Sequence, residues 1–444
     1  MVPLSARVSC VAGLCLLAFG VACADPVPLE LRQSARDGDV QSLFLLGRLY
    51  AEGEGDLRRD PAEAARWWRQ AASAGHTDAQ RELALLHLSG RGVPQSFTEA
   101  TRLFFLAANK GDIDSQFELG NLLISGRGGQ MSVDTGMEWL VRAADGGHQP
   151  AQLSLARAYL SADRSDPAHS EGVTWLRRAV DADYTPAVYY LATLYADATL
   201  IPESPDEAAS LFGRAAAAGH PEAQVWMGRH FQRSDPPDHV AALTQFRLAA
   251  AQGNADGHYS VARIHLDRLV RTPNTQEGLR HLYAAADLAH AEAHYALGGM
   301  YGRGALAGGG ERAVSHFERA ARLNHTGAMY ELGLAHYQGT GPLRRNASAA
   351  AEWWRRAAQR GHVDSQYAFA LLHVSGAGVP RNPGVAFALA NIAAAQGHAE
   401  GAALRDQLMS SLDPGALAQA QELSLTLFQQ YVSDGGRHLE EQLK

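Results

Sequence analysis

Apolar residues recur three and four apart along most of the chain, and glycine interrupts them at near-regular intervals. Ala79, Leu83 and Leu86 fall on one helical face that ends at Ser89-Gly90. Gly90-Arg91-Gly92-Val93-Pro94 supplies flexible dihedrals and a breaker, which predicts a tight connection. Ala100, Leu103, Phe104, Ala107 and Ala108 then mark a second helix, from Thr98 and Glu99 to a left-handed glycine cap at Gly111. The pattern is a helix hairpin with an apolar stripe that it cannot bury alone.

The hairpin repeats. Its closing position, often followed by histidine, recurs at Gly38-Asp39, Gly75-His76, Gly111-Asp112, Gly147-His148, Asp183-Tyr184 and Gly219-His220. It continues at Gly253-Asn254, Ala289-His290, Asn324-His325, Gly361-His362 and Gly397-His398. The intervals are 37, 36, 36, 36, 36, 34, 36, 35, 37 and 36 residues. Residues 65–95 and 351–381 align without gaps, with 19 identities in 31 positions. Stacked hairpins of this kind share one continuous core, so the three domains that 444 residues would otherwise suggest give way to a single array.

The motif A-x-x-x-L-G-x-x-Y-x-x-G-x-G followed by D-x-x-x-A-x-x-W-x-x-A-A-x-x-G resembles the Sel-1-like repeat, a relative of the tetratricopeptide repeat. Leu46-Gly47, Tyr50, Gly53, Gly55, Asp60, Ala64, Trp67, Ala71-Ala72 and Gly75 carry it in the first repeat. Leu332-Gly333, Tyr337, Gly339, Gly341, Trp353, Ala357-Ala358 and Gly361 carry it in the ninth. The resemblance implies an all-α, right-handed α/α superhelical solenoid of about ten helix-hairpin repeats, and it defines a scaffold rather than a chemistry. Repeats four to seven depart from it: residues 161–167, 196–205, 232–237 and 267–273 are polar and Pro-containing where the G-x-G loop would stand. These loops read either as drift or as an edge shaped for a partner.

The ends divide the chain further. Residues 1–24 carry Arg7, an apolar run from Val8 to Val21 and the exit Ala22-Cys23-Ala24, the plan of a secretory signal peptide with cleavage before Asp25. Gly20-Val21-Ala22-Cys23 also resembles a lipoprotein cleavage box, in which Cys23 would be lipidated. The protein is therefore expected to be periplasmic or secreted, or alternatively a lipid-anchored envelope protein. Residues 25–37 form a lead-in, 38–396 the ten repeats, 397–433 capping helices begun afresh at Asp413-Pro414, and 434–444 a polar tail.

Composition narrows the function. With 39 Lys+Arg against 47 Asp+Glu, the net charge of -8 argues against a nucleic-acid partner held by bulk charge. Only two basic residues are lysine, Lys110 and Lys444, which reads as coding bias. All three cysteines (Cys10, Cys15, Cys23) precede Asp25, so a chain cleaved there has no disulfide and no thiol nucleophile. Nineteen histidines invite a metal site, yet seven of them occupy the same repeat position, one repeat thickness apart and too far to share an ion. His290 and His294 flank Glu292 without forming H-E-x-x-H, and no third ligand is evident. No G-x-S-x-G, phosphate loop or dinucleotide fingerprint is present, and the glycines of 302–310 follow no strand. The sequence thus calls for no cofactor, no metal and no catalytic residue.

What remains is a stripe on the first helices. Six residues after each closing position stand Phe44, Arg81, Phe117, Leu153, Tyr189, Val225, Tyr259, Tyr295, Tyr330 and Tyr367; four further on, Arg48, Arg157, Arg229 and Arg263 share that face. In tetratricopeptide-type solenoids this face lines the concave groove. The resemblance therefore implies a partner groove of Arg48, Arg157, Tyr189, Arg229, Tyr259, Arg263, Tyr295 and Tyr330, suited to an extended peptide or an anionic polymer. The bland reading makes the rings core and the arginines a solvated face. Six tryptophans (Trp67, Trp68, Trp139, Trp175, Trp353, Trp354) fall at second-helix packing positions, whereas Trp226 lies in a first helix and is expected at the surface. The leading expectation is a non-catalytic exported adaptor for a protein partner, in an envelope assembly such as exopolysaccharide export. A glycan- or peptidoglycan-binding protein is the alternative, and a membrane is a partner only if Cys23 is lipidated.

Overall fold

The computed structural model describes residues 27–53, 57–129, 131–161, 167–197 and 204–433. The expected signal peptide with Cys23 and the tail 434–444 lie outside them, as do parts of the loops of repeats one, three, four and five. Among the described residues the protein is all-α: twenty-three α-helices and a closing π-helical turn, Gln429–Ser433. Each period holds two helices, as in Val40–Glu52 with Pro61–Ser73, Thr77–Ser89 with Phe97–Ala108, and Val363–Ser375 with Pro383–Ala395. The closest helix–helix contacts join sequence neighbours, which makes this an α-solenoid. Contacts divide the chain into two compact parts, residues 1–187 and 188–444, and the repeats are described within each.

Local chemistry sets the helix ends. Several second helices begin at oxygen caps: Asp60 accepts from the Ala62 and Glu63 amides, Asn274 from Glu277, Asn346 from Ala349 and Asn382 from Val385. Their ends share one geometry. Eight closing glycines have φ between +78° and +92°, and the three that are not glycine (Asp183, Ala289, Asn324) are left-handed too, at φ 53°, 59° and 64°. The next amide then reaches back into the helix, as His76 N–H does to Ala71 O at 2.9 Å. In the G-x-G loop the second glycine is needed for room as well as dihedral. A Cβ on Gly92 would lie 2.4 Å from the Pro61 carbonyl carbon, and one on Gly378 2.3 Å from that of Ala347.

The core follows the Leu-Gly and Ala-Ala positions. Gly47 and Gly333 leave space for the second-helix indole: a Cβ would meet Trp68 Cδ1 at 2.3 Å and Trp354 Nε1 at 2.4 Å. Each indole N–H donates to a first-helix carbonyl, Trp68 to Phe44 and Trp354 to Tyr330, both at 3.1 Å. Phe246 and Phe317 take this place over Gly228 and Gly298. At the carboxyl end Asp413 caps Pro414–Phe428, which turns back onto Pro383–Ala395. That helix is fifteen residues long and begins at the proline.

Candidate functional site

The repeated histidine caps the first helix of its repeat. Nδ1 of His76, His148, His290, His325, His362 and His398 accepts the amide three residues on, at 2.9 to 3.3 Å. An accepting Nδ1 leaves the proton on Nε2. That nitrogen reaches into the preceding repeat, to Gln41 Oε1 from His76 (3.1 Å) and to Asp256 Oδ1 from His290 (3.0 Å). His148 and His398 approach Asp114 and Asp364 at 3.4 Å. Burial lowers the pKa of His148, His325 and His362, which suits neutral caps, and that of His220, whose side chain makes no capping bond.

The aromatic stripe meets these histidines. Phe44 lies on His76, Phe117 on His148, Tyr189 on His220, Tyr259 on His290, Tyr295 on His325, Tyr330 on His362 and Tyr367 on His398, with ring centroids 4.2 to 5.4 Å apart. Every repeat whose successor opens on histidine carries an aromatic ring here, and the three others do not. Arg81 is the telling exception, because it faces Asp112, the next cap, at 2.6 Å. The stripe is therefore in large part a contact between repeats. The rings are half-buried, between the core and surface readings of the sequence.

The candidate arginines are exposed. Arg48 faces Glu52 at 4.0 Å, and Arg157 stands on the first helix of repeat four, in the same part of the chain. In the second part Arg263 pairs with Asp267, and Arg229 reaches Asp256 at 2.9 Å. Asp256 thereby joins repeats six, seven and eight, and its carboxyl is held below the ordinary value by the hydrogen bond from His290 first and then by Arg229. Trp226 departs from its expected surface place: it is half-buried, sandwiched between Phe212 at 4.1 Å and His230 at 5.2 Å. Phe212 is a buried core ring.

One cleft stands out in the second part. It has a volume of 1210 Å³ and runs along the first helices of repeats seven, eight and nine, Ala255–Leu266, Ala291–Gly302 and Thr326–Gln338. Tyr259, Arg263 and Tyr295 of the expected groove line it, whereas Arg229 and Tyr330 do not. Its opening is made by Gly299, at the stripe position where repeats two, nine and ten carry Leu85, Leu334 and Leu371. Arg303 and Glu331 give the lining both signs of charge. Burial raises the Glu331 carboxyl above its ordinary value while Arg303 pulls it down. Sequence reasoning passed over Gly299, Arg303 and Glu331; the loss of a large side chain from one position of the stripe was the available signal.

The Sel1 repeat family matches residues 40–76, 77–112, 113–148, 149–184, 185–220, 221–254, 255–290, 291–325, 326–362 and 363–398. The chain is a Sel1 repeat protein. It is similar to a protective antigen present in uropathogenic Escherichia coli strains, whose crystal structure displays an SLR fold: 26% identity over 93% of this chain and 88% of that one, with a TM-score of 0.65. It is also similar to a Sel1 repeat protein from Oxalobacter formigenes, at 23% identity over 50% of this chain and 98% of the other, TM-score 0.44. No curated protein matches it. Each family boundary falls at the capping position, so the cap of a Sel1 repeat belongs by sequence to the repeat before it. Among the described residues of this Sel1 repeat protein, no helix is long and apolar enough to cross a membrane, and no group of three or more His, Cys, Asp or Glu could hold a metal ion.

Proposed function

We propose that this Sel1 repeat protein is a non-catalytic exported scaffold, and that a segment of a protein partner seats in the cleft of repeats seven to nine. The cleft carries the reading: an open volume with two rings, Arg303 and Glu331 can take an extended chain, whose amides and side chains present both signs of polarity. Export rests on the reading of residues 1–24, and the likeness to a protective antigen agrees with it. An envelope assembly such as exopolysaccharide export is the setting that a lipidated Cys23 would favour.

Gly299→Leu tests the site, since leucine stands there in three other repeats and the new Cβ would meet only the flexible Arg303 guanidinium, at 3.0 Å. A partner recovered from the envelope by the native chain is expected to lose binding at least tenfold with Gly299→Leu and with Arg303→Ala. Arg48→Ala, in the other compact part, is expected to bind as the native chain does. Equal binding by all three variants would overturn the site. The glycan reading keeps one observation, that Tyr259, Arg263 and Tyr295 line the same cleft. Retention on a peptidoglycan or exopolysaccharide matrix, lost with Tyr259→Ala and Arg263→Ala together, would favour it instead.

A further inference from the structure

The charges of the cleft in repeats seven to nine are ordered along its first helices. Counted from the closing position before each repeat, Glu292 stands third and Glu331 seventh. Arg263, Arg303 and Arg268 stand tenth, fourteenth and fifteenth. Acid thus lines the end where the first helices start, and base the end where they stop. Between them the floor is apolar, with Met300 and Leu334 on either side of Gly299. Asp267, the one carboxylate at the basic end, is held by Arg263, which leaves Arg268 and Arg303 without an ion pair among the described residues. Glu331 is half-buried, and burial raises its carboxyl above the ordinary value, so an arriving cation would be welcome there.

The closing helix brings the chain back to the acidic end. The Tyr431 carbonyl oxygen lies 3.1 Å from where a Cβ on Gly361 would stand. His362 follows Gly361 and lies on Tyr330, with ring centroids 5.4 Å apart, and Glu331 is the residue after Tyr330. Tyr431 and Glu331 therefore flank one repeat junction. Arg437 is six residues beyond Tyr431, a reach of up to about 20 Å. Gly435-Gly436 supplies the dihedral freedom to turn over the edge between them. The sequence then reads Arg437, Leu439, Glu440 and Glu441, a cation, an apolar residue and two anions, which is the order of the cleft with its signs exchanged. The spacing agrees as well. Glu331 and Arg303 differ by seven places of register, about 10 Å along a helix, and three extended residues from Arg437 to Glu440 also cover about 10 Å. Asp434 and Lys444 stand three residues outside this run on either side.

We propose that residues 434–444 seat in the cleft of their own chain, with Arg437 on Glu331, Leu439 over Gly299, and Glu440 and Glu441 on Arg303 and Arg268. On the reading of this cleft as the partner site, from which the inference starts, the segment is an internal competitor that a partner must displace. A tethered segment acts at an effective concentration of order mM, so a pairing that is weak between separate molecules still fills the cleft within one. The partner then meets only the fraction of chains whose cleft is open. Ion pairs at an exposed surface around one leucine each contribute little and weaken with salt, which keeps the segment displaceable.

A fluorescein-labelled peptide of residues 434–444 is titrated at low salt, by anisotropy, with chains spanning residues 25–444 and 25–433. The shorter chain keeps every helix described above, and circular dichroism checks its helix content. The peptide is expected to bind the shorter chain about tenfold tighter than the longer one, whose cleft its own segment fills. Gly299→Leu and Arg303→Glu in the shorter chain are each expected to weaken the peptide at least fivefold. A peptide with Glu440→Lys and Glu441→Lys should recover binding to the Arg303→Glu chain. Equal binding by both lengths, binding to neither, or no recovery across the charge exchange overturns the proposal. Self-association of the longer chain alone on sedimentation overturns it too, by placing the segment in a neighbouring molecule. The partner separates this inference from the one beneath it. Loss of partner binding with Gly299→Leu, beside a peptide that binds both lengths equally, sinks the internal competitor and keeps the partner site. A peptide that binds as expected, beside a partner indifferent to Gly299→Leu, upholds the seat of residues 434–444 and overturns the partner site.

Discussion

Nε2 of His290 hydrogen-bonds Oδ1 of Asp256 at 3.0 Å while Nδ1 of the same ring caps its own helix at Ala293. One imidazole thus closes a helix start and ties two repeats, and the capping bond requires an unprotonated Nδ1. The Tyr259 ring that lies on it, 4.5 Å away, is the part of this arrangement that looks from sequence like a binding surface.

Stability should fall as the solution is acidified below neutrality. Burial depresses the pKa of His148, His220, His325 and His362, so the unfolded chain takes up protons near its ordinary value of about 6.5 where the folded chain does not. The contribution of these groups is full above that value and is lost as pH falls through their lower folded values. Urea midpoints measured from pH 7.5 to 5 should drop in this window. His325→Asn with His362→Asn keeps capping oxygens, as Asn254 does naturally, and should flatten the slope. An unchanged slope would show that the caps do not couple to protonation.

Gly333→Ala should destabilise by about 1–3 kcal/mol, since its methyl would lie 2.4 Å from Trp354 Nε1 in a filled core. Trp354→Phe in the same background should recover little, because a Cβ on Gly228 or Gly298 would meet the phenylalanine that stands there at 2.4 or 2.7 Å. Thermal melts followed at 222 nm read both. A neutral Gly333→Ala would mean that the indole can move away.

Ala289→Gly should stabilise. Ala289 is exposed and left-handed at φ 59°, a conformation that costs a residue with a side chain about 1–2 kcal/mol, only part of which is offset by the greater freedom of glycine when unfolded. Asn324→Gly should gain less, because asparagine tolerates this region. A fall in melting temperature for Ala289→Gly would contradict the assignment of strain.

Arg81 and Asp112 should behave as one unit. Arg81→Tyr alone, or Asp112→His alone, leaves half of the pair that other repeats use, whereas the two together rebuild a ring on a capping histidine. A double-mutant cycle by urea unfolding should return a coupling of about 0.5–1.5 kcal/mol favouring the double change over the sum. Additive losses would mean that the swap is accidental.

Much of the fold is legible in the sequence because it rests on local chemistry. The left-handed glycine, the capping oxygen and the Leu-Gly gap over an indole each constrain the residue that performs them, and the interval between them counts the repeats. The candidate site was less legible for a physical reason. Tyr189, Tyr259, Tyr295 and Tyr330 read as a stripe along the first helices, but each ring lies on the histidine 30 to 32 residues later, across a repeat boundary. That pairing is written in the sequence and visible only when each ring is compared with the next repeat rather than with its own. Trp226 was misplaced similarly, since Phe212 of the preceding second helix covers it. The cleft depends on side chains that are missing, at Gly299, and a sequence read for chemistry draws attention to side chains that are present.

The shared histidine bears on how the array can be cut. A fragment ending just before His325 would leave the Tyr295 ring without its stacking partner, although the following fragment keeps its first cap. Ending one residue later keeps the ring covered but strips the next helix of that cap, so every severed junction harms at least one side. Shortened arrays should therefore be made by deleting whole periods from the interior and rejoining equivalent positions. The new neighbours must then match, aromatic to histidine or arginine to aspartate.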